Sequence, residues 1–446
     1  MQNKIGFKDK TAMKTWMLGL TAGMLLVPLT ACGSDGGAGK QESGAEVSSK
    51  AAEEDNTPAK LVFYSTTTWS QDAFNERFGD AMRKKFPHYT IEYLATGQGT
   101  TFPEVMAAGT QIDVVWHDVN TTIPQLLEYG LQYDMTELIK KHGLSMNNLE
   151  ATSIEVVKQM SGGKMYALPL VVNTAAMYYN KDVFDKFAVA YPKDGMTWDQ
   201  ALDLAKRMRR TDSGIEYYGM VSGSQPQFNL TSMAVPFIDS KTNKPTISTD
   251  DRWKTLFQQL IELRKTMGNK NLGEDNFVKD KNIAMLDYLA NTFLNKDMTA
   301  MNWDLVAYPT FKELPDKGPQ TLPTLFGITS TSKNKDAAMK VLAYMLSEEP
   351  QLGLSEKAVI PVLQTDKTVK AFATKSKYTG KNFQAIMKRK FTLSAPKSAI
   401  ENKARTAYAK PVADLTDGKV DLNTAFRQID EEMNKIIAEE LSRLAK

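Results

Sequence analysis

The 446-residue sequence holds one cysteine, Cys32, and three histidines, His88, His117 and His142. A lone thiol excludes an intramolecular disulfide, a cysteine-built zinc cluster and a dithiol redox pair, each of which needs at least two sulfurs in reach of each other. The histidines show neither metal-ligand spacing nor a triad pattern with a serine and an acid, so no metal and no cofactor is expected. Neither sign of charge dominates: 55 Lys+Arg stand against 52 Asp+Glu, and a net charge of +3 is no footprint for nucleic acid. With 42% hydrophobic and 24% charged residues the chain is globular rather than disordered or fibrous. Its length suggests two or three domains at ~100–200 residues each.

The excess charge sits at the front. Lys4, Lys8, Lys10 and Lys14, offset by Asp9, precede an apolar run from Trp16 to Leu29 that is too short to span a bilayer. A basic segment followed by such a run reads as an export signal, residues 1–31. Leu29-Thr30-Ala31-Cys32-Gly33 then follows the pattern of a bacterial lipoprotein box, in which cleavage falls before the cysteine and Cys32 is acylated. Removing the leader leaves 51 basic and 51 acidic residues, so the mature chain is neutral and its attachment to the membrane is expected from the acyl chains alone.

Residues 32–58 form a linker. Beyond Cys32 they contain one Val and no larger apolar side chain, too little to offset the entropy of ordering. The segment reads as a flexible tether with an r.m.s. reach of about 28 Å.

From Leu61 onward, strand and helix patterns alternate. Leu61–Tyr64, Thr90–Leu94 and Ile112–Trp116 read as strands; Phe74, Phe78, Met82 and Phe86 line one face of a helix, and another helix lies near Ile123–Tyr129. Such βαβ units imply a mostly parallel sheet covered on both faces, with ligands beyond the carboxyl ends of its strands. The loops there carry Ser65–Ser70, Gly97–Thr101 and His117–Asn120: hydroxyls, amides, one carboxylate, an imidazole and the Trp69 indole, with no Arg or Lys. That assortment suits a neutral polyhydroxylated ligand, whose hydroxyls need donors and acceptors and whose C–H faces pack on aromatic rings. Each residue also has a plainer role: Trp69 can open a helix and pack on the core, and Asp118 can cap the helix that follows. The glycines near Gly97 lack the remainder of a phosphate-binding motif.

Gly163-Lys164-Met165-Tyr166-Ala167-Leu168-Pro169, followed by Ala176-Met177-Tyr178-Tyr179-Asn180-Lys181-Asp182-Val183-Phe184, resembles the signature of the extracellular solute-binding proteins of ABC importers, in the family that includes maltose-binding protein. Phe277 with Ile283–Met285, Tyr308–Lys312, Phe326–Thr329 and Asn334–Leu342 agree, in order, across nearly the whole mature chain. The resemblance implies an α/β, two-lobed periplasmic-binding-protein-like fold (type II), its lobes joined by crossing hinge strands with the ligand cleft between them. On that pattern lobe 1 comprises residues 59–170 plus 281–326, and lobe 2 residues 171–280 plus 327–446. The helix Trp198–Met208, with capping-box spacing at Thr197 and Gln200, and the last helix, with Leu422, Phe426, Ile429, Met433, Ile436 and Leu444 on one stripe, are expected in the core together with Trp116, Trp198, Trp253 and Trp303.

The resemblance also carries site positions. His117 and Asp118 follow the third strand where the family contacts its ligand. Asn173, in the crossing segment, stands where maltose-binding proteins have a carboxylate. Gln225, Gln227 and Phe228 match a second-lobe loop with an aromatic platform. Tyr288 and Asn291 fall where the family often has a glycine and a stacking tryptophan; that tryptophan is absent. With Trp69 and Gln98 these make up the expected ligand-binding set. The function implied is a lipid-anchored receptor outside the cell membrane, or in a periplasm, acting as a monomer. It would capture a carbohydrate, an oligosaccharide, by lobe closure and deliver it to the transmembrane subunits of an ABC permease, without chemistry. The alternatives are an exported glycosidase, for which Asp118 supplies one carboxylate and no second is visible, and a sensor or binding lipoprotein without transport.

Overall fold

The computed structural model describes residues 56–444, except Ser224, Asn269, Asn271 and Ala399. The leader, Cys32 and nearly all of the tether lie outside the described residues. The chain divides into two units, 1–55 and 56–446, of which the second carries both lobes. Among the described residues no helix is long and apolar enough to cross a membrane.

Two sheets organise the second unit. The first contains β1 (Ala59–Ser65), β2 (Tyr89–Ala95), β3 (Val114–Asp118), β4 (Leu168–Asn173), a later strand β11 (Leu322–Ile328) and the two-residue β12 (Ile360–Pro361), in the order β12-β4-β11-β3-β1-β2. The second contains β5 (Ala175–Asn180), β6 (Arg210–Asp212), β7 (Ile215–Ser222), β8 (Ile283–Leu289) and β9 (Trp303–Val306), in the order β6-β7-β8-β5-β9. A short ladder joins β10 (Lys317–Gln320) to β13 (Lys390–Thr392).

β1 runs parallel to β2 and β3, as the βαβ pattern implies, and β11 is antiparallel to both β3 and β4. The helical face that begins after β1 is set by its apolar spacing: Phe74, Phe78 and Met82 are fully buried, and the two rings pack on Phe63, Trp116 and Phe326. Gly327 in β11 permits close packing there, because a Cβ would stand 2.5 Å from Leu126 and 2.7 Å from the Tyr166 carbonyl oxygen. In the second lobe the helix Trp198–Met208 begins with the expected capping box: Gln200 N donates to Thr197 Oγ1 at 3.4 Å, and Thr197 N donates to Gln200 Oε1 at 2.9 Å. Trp116, Trp198, Trp253 and Trp303 are all buried. The last helix, Leu422–Leu444, buries Phe426, Ile429, Met433 and, one residue along from the expected Ile436, Ile437.

The chain passes between the sheets at single residues. β4 and β5 are separated only by Thr174, and β10 and β11 only by Thr321. The two crossings lie side by side, since Thr174 Oγ1 donates to the Gln320 carbonyl at 2.8 Å. Gln320 is tied in turn to the second lobe, its Nε2 donating to Thr231 O and its Oε1 accepting from Ala395 N. A third passage falls between Lys375, paired with Glu356 on the first lobe, and Tyr378, whose ring packs on Phe293 and Trp303.

These crossings correct the expected lobe boundaries. β8 and β9, expected to return to lobe 1 near residue 281, belong to the second sheet, where β8 pairs with β5 and β7. Residues 327–372, expected in lobe 2, pack on the first sheet through the helices Lys335–Met345 and Glu348–Glu356 and through β12. The physical reason is that an apolar run such as Ile283–Leu286 shows that a strand is buried, not which of two apolar sheets buries it. The C-terminal helices pack on the second lobe through Phe426 on Phe257 and Tyr408 on Trp253. They also reach the first: Asn402 Nδ2 donates to Asn120 O, and Arg443 lies 3.3 Å from Glu128.

Candidate functional site

A cavity of about 210 Å³ opens where the sheets meet, lined from the first lobe by Trp69, Arg77, His117 and Asp118, at the crossing by Asn173, and from the second by Leu289, Ala290 and Asn291. A wider cavity of about 430 Å³ shares Trp69, Arg77, Leu294, Asn295 and Val359 with it and adds Thr68, Ser70, Glu76 and Lys357, so the two form one cleft.

His117 and Asp118 stand at the end of β3, Trp69 in the loop after β1, and Arg77 in the helix that follows that loop. Asp118 closes β3, and its Oδ1 accepts from Asn120 N at 2.8 Å and from Thr121 Oγ1 at 3.3 Å, so the carboxylate shapes the turn into the next helix as well as facing the cleft. Burial works against its charge. The adjacent His117, the Asn120 amide and the Thr121 hydroxyl outweigh that, and the carboxyl is held below the ordinary carboxylate range. His117 Nδ1 lies 3.5 Å from Asp118 Oδ2 without hydrogen-bond geometry and is a buried atom lacking a hydrogen-bond partner. The half-buried Trp69 is fixed by Tyr93, whose hydroxyl donates to its carbonyl at 2.7 Å, by the Trp116 ring edge-on at 5.5 Å, and by the Arg77 guanidinium 4.6 Å over its own ring.

The second-lobe wall is neutral. Its turn Leu289–Asn291 is anchored by Ala290 N donating to Thr174 O at 2.8 Å and by the Tyr178 hydroxyl, 2.9 Å from the carbonyls of both Leu289 and Ala290. Asn291 stands at the start of the helix Thr292–Asn295 but makes no cap bond, and its Oδ1 is buried without a partner. Two unsatisfied polar atoms, His117 Nδ1 and Asn291 Oδ1, thus belong to opposite walls of one cavity. Both atoms are themselves covered, so the polar surface each wall offers comes from the other atoms of its side chains.

Five of the expected positions, Trp69, His117, Asp118, Asn173 and Asn291, line this cavity. The others do not. Gln98 is exposed in the loop after β2. Tyr288 does not line it: burial, followed by the nearby Glu274 carboxylate, pushes its hydroxyl up to about 12, and its neighbour Leu289 lines the cleft instead. Gln227 borders a minute enclosed space with Ser222, Asp287 and Tyr308. Phe228 packs among Trp253, Phe257 and Tyr408 and borders a separate cavity of about 320 Å³. Gln225 falls in the helical turn Gln225–Asn229 that begins this loop.

Sequence reasoning missed Arg77, Leu294, Asn295 and Lys357. Arg77 was legible in principle, because it is three residues after the inward-facing Phe74 and so borders that face of its helix. Its presence removes the expectation that the strand-end side carries no cation. Among the described residues no group of three or more His, Cys, Asp or Glu could hold a metal ion.

Residues 66–352 match the family model of the bacterial extracellular solute-binding proteins. The chain belongs to that family. Family membership makes it a binding protein rather than an enzyme. Solved structures similar to this solute-binding protein share its two-lobed α/β architecture. An ABC substrate-binding protein from Listeria monocytogenes in complex with cycloalternan superimposes with a TM-score of 0.70 at 18% identity, covering 86% of this chain and 100% of that one. The cyclic alpha-maltosyl-1,6-maltose binding protein from Arthrobacter globiformis gives 0.66 at 13% identity, covering 85% and 99%. The sugar-binding protein MalE from Xanthomonas citri gives 0.64 at 14% identity, covering 87% and 99%.

Proposed function

We propose that this solute-binding protein is a lipid-anchored receptor of an ABC importer, tethered outside the membrane through Cys32, which captures a saccharide between its lobes as a monomer and hands it to the permease. The observation that carries this reading is a cavity whose opposite walls bring polar side chains together, His117 and Asp118 from one lobe and Asn291 and Asn295 from the other, beside single-residue crossings. A polyhydroxylated ligand touches both walls only when they are together, so it favours the closed form. Moving the closed form from 1:99 to 99:1 takes ~5.5 kcal/mol of differential binding. Several hydrogen bonds and the Trp69 ring are of that order.

The sugar ligands named for the similar structures support a carbohydrate here, and an oligosaccharide fits a cleft formed of two joined cavities. The lipoprotein box supports the anchor. Calorimetry against mono- and oligosaccharides, with analysis of the ligand afterwards, tests the reading: saturable heat with the sugar recovered intact is expected, and turnover of a glycoside or no binding across the panel overturns it. Radiolabelled palmitate incorporated into the wild-type chain but not into Cys32→Ser checks the anchor.

A further inference from the structure

The charged groups of the joined cleft are Asp118, Glu76, Arg77 and Lys357. Asp118 is satisfied within its own turn. Glu76, next to Arg77 in the chain, is exposed; its charge favours that of Arg77 from a distance, but it makes no ion pair with either cation among the described residues. Arg77 forms no ion pair or hydrogen bond among the described residues, although burial pulls its guanidinium down to about 10, and the group it meets is the Trp69 ring. Lys357, at the end of the helix Glu348–Glu356 on a separate segment, also has no ion-pair partner among the described residues. Two unpaired cations from distant parts of the chain therefore border one cavity, together with the hydroxyls of Thr68 and Ser70 and the amide of Asn295. A desolvated guanidinium is costly unless an anion reaches it. The fork of its N–H groups fits the two oxygens of a carboxylate, while the hydroxyls and amide suit sugar hydroxyls.

We propose that the wide end of the cleft, between Arg77 and Lys357, is a subsite for the carboxylate of a hexuronic acid residue, so that the captured oligosaccharide is acidic. This rests on the receptor reading and names its ligand class. The aromatic ring beside Arg77 is then the platform for the same or the adjoining sugar ring.

The test is calorimetry of the full chain against tri-uronates of the gluco, galacto and manno series, each paired with its carboxyl-reduced neutral counterpart, at low and high salt. The acid form of at least one series binds about tenfold tighter than its reduced form, the preference shrinks with salt, and Arg77→Gln abolishes it. Lys357→Gln, at an exposed side chain that leaves the fold intact, lowers the preference about threefold and keeps the test decisive if the Arg77 variant does not fold. Equal or tighter binding of the reduced forms, or an acid preference unchanged by both variants, overturns the inference while leaving the saccharide receptor standing. Binding of neither form in any series, with binding of a non-saccharide solute, overturns the receptor reading as well.

Discussion

The two walls of the cleft solve different problems. The first-lobe wall carries an aromatic ring, an imidazole and a carboxylate from the loop after β1 and the end of β3, and a guanidinium from the helix that follows the β1 loop. The second-lobe wall carries Leu289, Ala290, Leu294 and the amides of Asn291 and Asn295. Two aspartates sharpen the contrast. Asp118 is held ionised by His117, Asn120 and Thr121 around it. Asp287, in β8, is fully buried, and burial pushes its carboxyl up to about 7 despite a 2.6 Å hydrogen bond from Ser222. The same side chain is a charged recognition group on one lobe and a core group near neutrality on the other. On the proposed reading, recognition is concentrated in the first lobe, and the second supplies a neutral surface that closes on it.

That division has measurable consequences. The largest is in stability. Because the folded carboxyl of Asp287 binds its proton up to about pH 7 and the unfolded one does not, this group's contribution to stability is fully present below about pH 4 and is lost as pH rises to about 7. Asp287→Asn removes that loss, ~4 kcal/mol at pH 8, and urea melts across pH 5–8 check it. Next, Asp118→Ala weakens ligand binding by about 3 kcal/mol, since it removes an ionised acceptor and the turn it shapes, measured by calorimetry. Trp69→Ala costs about 2 kcal/mol of binding on the same measurement, through lost apolar contact and a released Arg77. Asn291→Ala, on the neutral wall, costs about 1 kcal/mol. An Asn291 effect equal to that of Asp118 would break the contrast between the walls.

Much of this architecture was legible from the sequence. The strand ends that carry Trp69, His117 and Asp118 followed from apolar runs separated by helical spacing, and Thr197 with Gln200 announced a helix start that the capping box realises. What was not legible was which sheet takes a buried strand. β8 and β9 carry apolar runs as β4 does, and it is their pairing, β8 with β5 and β7 and β9 with β5, that assigns them to the second lobe. Tyr288, expected from the resemblance, stays off the cleft that its neighbour Leu289 lines, because a motif names the strand but not which side chain faces another lobe. Arg77 and Lys357 come together only through the fold, being 280 residues apart in the chain.

The proposed capture depends on closure of one wall upon the other. Spin labels on cysteines replacing the exposed Lys84 of the first lobe and the exposed Ile215 of the second, in a Cys32→Ser background, report the separation of the lobes with and without a bound saccharide. A distance distribution that shifts to a single shorter population on saturation, and fails to shift in Asp118→Ala at a saccharide concentration that saturates the wild type, is the predicted result. Saturation of the site with an unchanged distribution would contradict it.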